Sequence, residues 1–296
     1  MLQVPLMGQF VQYMKLQQRI DKMIDFTNAN KYIKQVEDTM MKYNIRLEDN
    51  NDLIAGIDLG TAYVVLVVLD RKMNPVACEM EFAQVIKDGL VVDFAGARAI
   101  VKRLKEKIEE KLGAELTKAA IAVPPGTGER DRNTHRYVVE GAGLEVTSVL
   151  DEPTAANSVL NIENGVVVDI GGGTTGLSIF ENGRVVYTAD EPTGGIHLTL
   201  VIAGNYKIRF EEAEELKKRK DRYRDVFPLI VPVVQKMALI IKRHTQDYKV
   251  DGIYLVGGTC CMNGIEHIIE KETGIPTRRP YNPLLVTPIG IAMNCR

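Results

Sequence analysis

The spacing of hydrophobic positions changes near Leu53. Before it, apolar residues recur at roughly helical spacing over residues 9–43, in stretches such as GQFVQYMKLQQRIDKMIDF. The polar break LEDNND (47–52) predicts a linker, so residues 1–50 are predicted to form an N-terminal helical extension. After it, LIAGIDL, AYVVLVVLD and PVACEMEF are rich in Val and Ile and predict three strands joined by tight turns.

Strand-like and helix-like patterns alternate through the rest of the chain. ARAIVKRLKEKIEEKL places its apolar residues on one face and is followed by Gly113, a common helix stop. AAIAV (119–123), EVTSVL (145–150) and GIYLV (252–256) predict buried strands, with helical segments between them. LIVPVVQKMALIIKRH predicts a long apolar helix with Pro232 in its first turn. This alternation, with hairpins opening each half, predicts an α/β fold of two related lobes.

One phrase occurs twice, as AGIDLGTAYVVLVVLD and as GVVVDIGGGTTGLSIF. Each copy has an apolar run, an Asp, then glycine and threonine, and a second apolar run. Glycine lets the backbone turn sharply and bring its N–H groups close to an anion, and Asp58 or Asp169 beside the turn can hold a hydrated Mg²⁺ or orient a water. A single copy also suits a structural hairpin turn, but two copies favour a phosphate site built from both lobes.

The glycines of the second copy also imitate a dinucleotide-binding motif. GGGTTG (171–176) matches GxGxxG, and Asp190 follows at about twenty residues, the spacing of that motif. The motif requires a helix after the glycines, whereas LSIF and RVVYT alternate around an ENG turn and predict a hairpin. We therefore do not favour a dinucleotide site, and the missing GxxxxGK[ST] pattern excludes a P-loop.

Composition excludes several function classes. The 296 residues are 45% hydrophobic and 26% charged with a net charge of −2, so no strong field attracts nucleic acid or an anionic membrane. No apolar run approaches the roughly 20 residues of a membrane helix. The four cysteines lack CxxC spacing and the four histidines lack ligand spacing, which indicates reduced thiols. We predict a cytoplasmic protein without nucleic-acid or membrane partners.

The motifs and their order resemble the actin-like ATPase superfamily, which includes actin, DnaK-type chaperones, sugar kinases and MreB. The phosphate motifs, connecting helices and adenosine motif of that superfamily resemble GIDLGTAYV, VVVDIGGGTTGLSIF, DEPTAANSV, PIGIA and YLVGG. The resemblance implies a bilobed fold of duplicated ribonuclease-H-like lobes. The first lobe would span residues 51–160 and be completed by 287–296, and the second would span 161–286.

A closer resemblance covers nearly everything after residue 50. KDGLVVDF, AVPPGT, VVDIGGGTTG, ADEPTGGIHLTL and LVTPIGIA together resemble the EutJ family of ethanolamine-utilisation proteins, which are chaperone-like and encoded with bacterial microcompartments. This resemblance implies ATP or ADP with Mg²⁺ between the lobes and a weak Mg-dependent ATPase. It also implies ethanolamine ammonia-lyase, or microcompartment shell or cargo proteins, as partners, and an association with the microcompartment.

The superfamily resemblance assigns roles to particular residues. Asp58 would position the hydrated Mg²⁺ and the attacking water, Asp169 would hold the metal from the other lobe, Thr175 would assist the water, and Glu129 would orient it. Phosphate-binding N–H groups would come from Gly60, Thr61, Gly171, Gly172, Gly173 and Thr174. The nucleoside would contact Glu214, Lys217, Gly257 and Gly258. Such a sparse set suffices, because phosphoryl transfer needs mostly positioning and charge neutralisation.

The chain departs from the superfamily in the upper part of the cleft. CEMEFAQ is followed directly by VIKDGLVVDF, with no insertion between them, which predicts reduced upper subdomains and a cleft that is open at the top. DnaK-type chaperones place a catalytic lysine in that region, and Lys87 in the KDG turn is a poor counterpart. Glu152 would bridge the lobes near the phosphates or cap a helix.

Several alternatives stay open. The Glu214–Lys217 pair is also typical of a surface ion pair one helical turn apart. The basic run KKRKDRYR (217–224) is either a solvated helix end or a patch for an acidic partner, and the N-terminal helices either pack on the body or dock a partner. For function, a chaperone-like ATPase is preferred to an adaptor that has lost turnover, and both to a small-molecule kinase or a filament protein.

Overall fold

A computed structural model describes residues 25–42 and 53–296. The strands of the first sheet are β1 (Ile54–Leu59), β2 (Tyr63–Leu69), β3 (Pro75–Phe82), β6 (Lys118–Val123) and β7 (Glu145–Asp151). Those of the second sheet are β8 (Gly165–Ile170), β9 (Thr175–Glu181), β10 (Arg184–Glu191), β11 (Ile253–Val256) and β12 (Thr277–Arg278). A separate hairpin consists of β4 (Ile86–Lys87) and β5 (Leu90–Val91).

Helices cover and connect the sheets. The α-helices are α1 (Thr27–Thr39), α2 (Phe94–Leu112), α3 (Glu129–Glu140), α4 (Glu152–Leu160), α5 (Gly195–Tyr206), α6 (Phe210–Lys218), α7 (Tyr223–Thr245), α8 (Ile265–Thr273) and α9 (Val286–Met293). Short 3₁₀ helices are Lys220–Arg222, Gly258–Cys261 and Pro283–Leu285. No helix within residues 25–42 and 53–296 has the length and apolar character to cross a membrane.

The two sheets repeat one topology. Their strand orders are β3-β2-β1-β6-β7 and β10-β9-β8-β11-β12, and in each sheet two antiparallel pairings are followed by two parallel ones. The turns β1–β2 and β8–β9 therefore occupy equivalent places. We call the first sheet with its helices the first lobe and the second sheet with its helices the second lobe. The predicted bilobed α/β fold is confirmed. The two copies of the repeated sequence phrase form the two equivalent turns. The residue boundaries of the lobes stay a prediction.

Two helices pass between the lobes and cross at small residues. A Cβ atom built on Gly290 of α9 would lie 1.8 Å from the Ala155 carbonyl oxygen of α4. One built on Gly56 of β1 would lie 2.2 Å from the Ala292 nitrogen of α9. Neither site has room for a methyl group, which shows that the backbone of α9 packs closely against both the first sheet and α4. The C-terminal helix thus packs on the first lobe.

The described part of the N-terminal extension packs on the body. Ile33 and Val36 of α1 are fully buried, and the Tyr32 hydroxyl donates to the Met73 carbonyl of the first lobe. On the other side, the Tyr281 N–H donates to Asn30 at 2.7 Å. For α1, these contacts agree with the packed-layer interpretation. The rest of the predicted helical region 9–43 and the predicted linker 47–52 lie outside the described residues.

Two details differ from the sequence-based expectation. Helix α7 begins at Tyr223, so Pro228 and Pro232 both lie inside it, and the prediction of Pro232 in the first turn is wrong. Burial compensates for the hydrogen bonds that proline removes, since one face of α7 is packed against the second sheet. The fully buried residues of that face include Ile230, Val234, Met237 and Ile241. Between β3 and α2 the structure has only the small β4–β5 hairpin, which confirms the reduced upper subdomain.

Candidate functional site

The two repeated turns face each other across a narrow cleft. A Cβ built on Gly172 would lie 3.2 Å from Thr61 Cβ and 3.4 Å from Ala62 Cβ. One built on Gly173 would lie 2.9 Å from Asp88 Cα in the KDG turn. The cavity between the turns has a volume of only about 80 Å³. At this phosphate end the lobes lie so close together that Gly172 and Gly173 leave little room for a side chain, whereas the predicted opening concerned the top of the cleft.

Three carboxyl groups line this cavity, of which Asp169 is buried and Asp58 and Glu152 are half-buried. Burial, and then the nearby Asp169, raise the pKa of Asp58 to about 7. Burial raises the pKa of Asp169 to about 6, although the Thr287 hydroxyl donates to it at 2.5 Å and works in the opposite direction. The Glu152 pKa is raised well above its usual range by burial and then by Asp169 and Asp58. Since proximity and burial both disfavour ionisation, the site is suited to a cation.

The donor set fits Mg²⁺ and a phosphate chain. Among the residues that the structure describes, no three His, Cys, Asp or Glu side chains could by themselves hold a metal ion. An ion on Asp58 and Asp169 would therefore take its other ligands from water and phosphate oxygens, which is the usual Mg²⁺ pattern. Gly257 has φ +91°, and a Cβ there would lie 2.3 Å from Asp169 Oδ1. Only glycine therefore fits at position 257, where the YLVGG segment packs against the Asp169 carboxylate.

Some backbone groups of the second turn form hydrogen bonds within the second lobe, and the turn also lines the cavity. The Gly171 N–H donates to the Thr174 carbonyl at 3.1 Å, so it is not free for a phosphate as predicted. The carbonyls of Gly171 and Gly172 accept from the N–H groups of Gly195 and Ile196 at the start of α5, at 3.0 and 2.8 Å. All six predicted phosphate-binding residues nevertheless line the cavity: Gly60, Thr61, Gly171, Gly172, Gly173 and Thr174.

Two predicted catalytic residues lie away from the cleft. Thr175 is fully buried, and its hydroxyl donates to the Thr193 carbonyl at 2.5 Å, so it faces the interior of the second lobe. Its neighbour Thr174, in the turn just before β9, lines the cavity instead. Glu129 is exposed at the start of α3, and the described residues that line the cavity do not include it. Both assignments are corrected.

A pair of threonine variants separates these two faces. Thr174→Val should weaken Mg·ATP binding by up to about tenfold, because a hydrogen-bonding group at the cleft is lost. Thr175→Val should leave binding unchanged and lower the free energy of unfolding by about 1 kcal/mol, because the Thr193 carbonyl loses its donor. Calorimetric titration and thermal unfolding of both variants check this. Weaker binding in Thr175→Val alone would contradict the assignment.

Comparison with known proteins places this geometry in a family. The chain is 43% identical over 242 residues to the ethanolamine utilization protein EutJ of Escherichia coli K12, covering 81% of this chain and 85% of that protein. The crystal structure of EutJ from Carboxydothermus hydrogenoformans superimposes with a TM-score of 0.83 at 46% identity, over 90% of this chain and 97% of that one. The chain belongs to the EutJ family.

More distant comparisons agree on the fold. The family model for type IV pilus assembly protein PilM matches residues 135–284. The crystal structure of MreB5 of Spiroplasma citri bound to ADP superimposes with a TM-score of 0.65 at 17% identity, over 80% of this chain and 94% of that one. The latter likeness shows the fold alone. This EutJ-family chain therefore has the predicted actin-like ATPase fold.

In this EutJ-family chain, Glu214 and Lys217 are not a surface pair. Lys217 Nζ lies 2.6 Å from Glu214 Oε2 and 2.8 Å from the Thr199 hydroxyl, and Thr199 donates to Glu214 at 2.6 Å. Glu214 is only 7% exposed, so the surface interpretation is wrong. Both residues line a second cavity of about 1380 Å³, together with Gly258 and Thr259. Gly257 lies instead in the narrow cavity, which Gly258 also lines.

Removing this buried carboxylate should destabilise the second lobe. Glu214→Ala leaves the largely buried Lys217 ammonium without its charged partner, and we expect a loss of about 2–3 kcal/mol in the free energy of unfolding. Glu215→Ala is the matched control, because Glu215 is exposed on the same helix and its ion pair with Lys218 is worth little. Urea unfolding measures both variants. Equal losses would argue against a buried network.

Sequence reasoning missed two groups beside the site. Asp190, set aside with the dinucleotide motif, pairs across β9–β10 with Gly176, and no described residue bonds its buried Oδ1 atom. Burial raises its pKa to about 6, against a hydrogen bond from Thr174. Lys218 extends over the rings of Tyr63 and Phe82 in the first lobe. In the sequence, the only signals for them were the spacing of Asp190 from the glycine turn and the basic run 217–224 that contains Lys218.

Proposed function

We propose that this protein is a chaperone-like, nucleotide-dependent component of an ethanolamine-utilisation system. Mg·ATP or Mg·ADP would bind between the lobes, and the angle between the lobes would be read by a partner. The observation that supports this most is that Asp58 and Asp169, from two equivalent turns, line one narrow cavity. An adaptor that has lost turnover would not need that symmetry.

The residues of the cleft would divide the work. Asp58 and Asp169 would hold the metal through their carboxylates, and the turns 60–62 and 172–174 would bind phosphates with backbone N–H groups. Thr174 would orient the water, and Gly257 and Gly258 would let the nucleoside approach the backbone. Glu214 and Lys217 would border the ribose and base. When bound, Mg²⁺ would neutralise the charge of the phosphates and lower the barrier to their transfer.

The partner is proposed from the family. The printed names of the relatives concern ethanolamine utilisation, and membership of the EutJ family supports a role in that process for this chain. We propose ethanolamine ammonia-lyase, or shell or cargo proteins of the bacterial microcompartment, as the partners that respond to the lobe angle. The protein would then act in the cytoplasm next to, or within, the microcompartment.

One observation favours a second candidate, an adaptor that has lost turnover. The narrow cavity is small, and none of the described residues that line it is Lys or Arg. Phosphates would therefore be neutralised only by the metal and backbone dipoles. An adaptor on this scaffold would bind its partner without using the cleft.

Reactivation of the enzyme partner separates the two candidates. Ethanolamine ammonia-lyase from the same host would be inactivated by mild heating and incubated with the protein, with and without Mg·ATP. The chaperone-like function predicts recovery that needs Mg·ATP and disappears in Asp169→Ala. The adaptor would be supported if the parent and Asp169→Ala bound the lyase equally well and neither gave recovery that depends on ATP. Absence of both binding and recovery would refute this partner.

A further inference from the structure

Lys218, at the end of α6 in the second lobe, reaches across the cleft to the first lobe. Its Nζ atom lies 5.4 Å from the ring centroid of Tyr63 and 5.0 Å from that of Phe82. The two rings pack edge to face, with centroids 5.6 Å apart. Distances under about 6 Å from a ring centroid are typical of a cation–π interaction. We call this three-residue contact the Lys218 clasp.

The clasp is fixed at both ends. In the second lobe, Lys218 Nζ is 3.5 Å from Glu214 and 3.4 Å from Glu215, which orient the ammonium. In the first lobe, Tyr63 opens β2 directly after the first phosphate turn, and it lines both cavities. The Lys218 side chain is 35% exposed, so solvent screens its attraction to the rings only in part.

The clasp lies where the two phosphate turns touch. A Cβ built on Gly172 would lie 3.2 Å from Thr61 Cβ, and the cavity between the turns has a volume of only about 80 Å³. A triphosphate needs more room than this, so the turns have to separate before phosphates can lie between them. A cross-lobe contact beside the turns opposes that separation.

We propose that Lys218 is a positioning residue whose clasp on Tyr63 and Phe82 holds the two phosphate turns together and thereby sets the affinity for nucleotide. This inference rests on the proposed nucleotide binding. A protein whose binding-competent state is only partly populated binds its ligand more weakly by that fraction. Loosening the clasp therefore makes binding tighter and faster, which is the opposite of what loss of a phosphate ligand would do.

Two variants remove the clasp from opposite lobes. Lys218→Met keeps the apolar stem and removes the charge, and Phe82→Leu removes a ring outside the narrow cavity. In stopped-flow binding of a fluorescent ATP analogue with Mg²⁺, each should raise the association rate constant about two- to fivefold. The increase in the association rate constant of the double variant should be smaller than the product of the two single increases, because both substitutions disrupt the same interaction. Lys218→Arg and Lys220→Met, a neighbouring lysine on the large cavity, should match the parent.

A second measurement needs no nucleotide. Amide hydrogen exchange of peptides spanning residues 58–64 and 169–176 should be faster in Lys218→Met and Phe82→Leu than in the parent. Faster exchange without any nucleotide binding would support the clasp and refute the proposed function. Unchanged exchange in both variants would overturn the clasp. Slower association in Lys218→Met alone would also overturn it, because Lys218 would then be a phosphate ligand.

Discussion

Replacing Gly290 with alanine is expected to lower the free energy of unfolding by more than about 3 kcal/mol, or to prevent folding. Alanine has a higher helix propensity than glycine, so propensity alone predicts that this substitution would stabilise the protein. Here the added Cβ would lie 1.8 Å from the Ala155 carbonyl oxygen and 3.1 Å from the Ala156 nitrogen, where α9 crosses α4. These are backbone atoms that no rotamer change can move, so the two connecting helices have to separate.

Gly204→Ala is the matched control for this prediction. Gly204 is exposed within α5, and no atom lies within 4 Å of a Cβ built there. The same substitution should therefore stabilise the protein by about 0.5–1 kcal/mol. Thermal unfolding of both variants should show midpoints on opposite sides of the parent. Equal small gains would contradict this and show that the α4–α9 crossing has room for a methyl group.

Replacing Asp58 with asparagine is expected to stabilise the nucleotide-free protein at pH 8. The folded-state pKa of Asp58 is raised to about 7, and that of Asp169 to about 6, from an ordinary value of 3.8. Between about pH 4 and pH 7 the folded protein therefore binds more protons than the unfolded chain, and its stability falls as pH rises through that window. Above it, the full cost of the buried charges is present.

The expected gain for Asp58→Asn is about 2 kcal/mol at pH 8 and close to zero at pH 4, since one pKa unit corresponds to about 1.4 kcal/mol and solvent screens part of the shift. Chemical denaturation at both pH values measures it. Asp247→Asn, in the exposed turn after α7, should show no such pH-dependent gain. An Asp58→Asn protein that is destabilised equally at both pH values would contradict the proposed charge repulsion.

Repetition in the sequence predicted much of the architecture and part of the site. Two copies of one phrase indicated two equivalent hairpins, and the shared strand order of the sheets confirms this. Because Asp58 and Asp169 occupy equivalent ends of equivalent strands, lobes that face each other bring both carboxyls to one cavity. The local sequence pattern is sufficient to predict this part of the site, because turn residues and the alternation of strand residues are local properties of the sequence.

The residues that sequence reasoning misplaced depend on register and tertiary packing. GGGTTG does not reveal which threonine begins β9, and a shift of one residue exchanges the cleft for the interior. Glu214 and Lys217 are spaced like a surface pair, and only the packing of α6 on α5 through Thr199 buries them. Lys218 is bound by rings more than a hundred residues earlier in the chain, a pairing that no local pattern contains.

Calorimetric titration of the full chain with Mg·ATP and Mg·ADP, beside an Asp169→Asn variant, would decide whether a nucleotide binds between the two turns. We expect saturable binding to the parent that requires Mg²⁺. We also expect loss of that binding in Asp169→Asn, whose unfolding midpoint should be no lower than that of the parent. Binding that persists unchanged in Asp169→Asn, or no binding to the parent at millimolar nucleotide, would contradict a nucleotide site between the two turns.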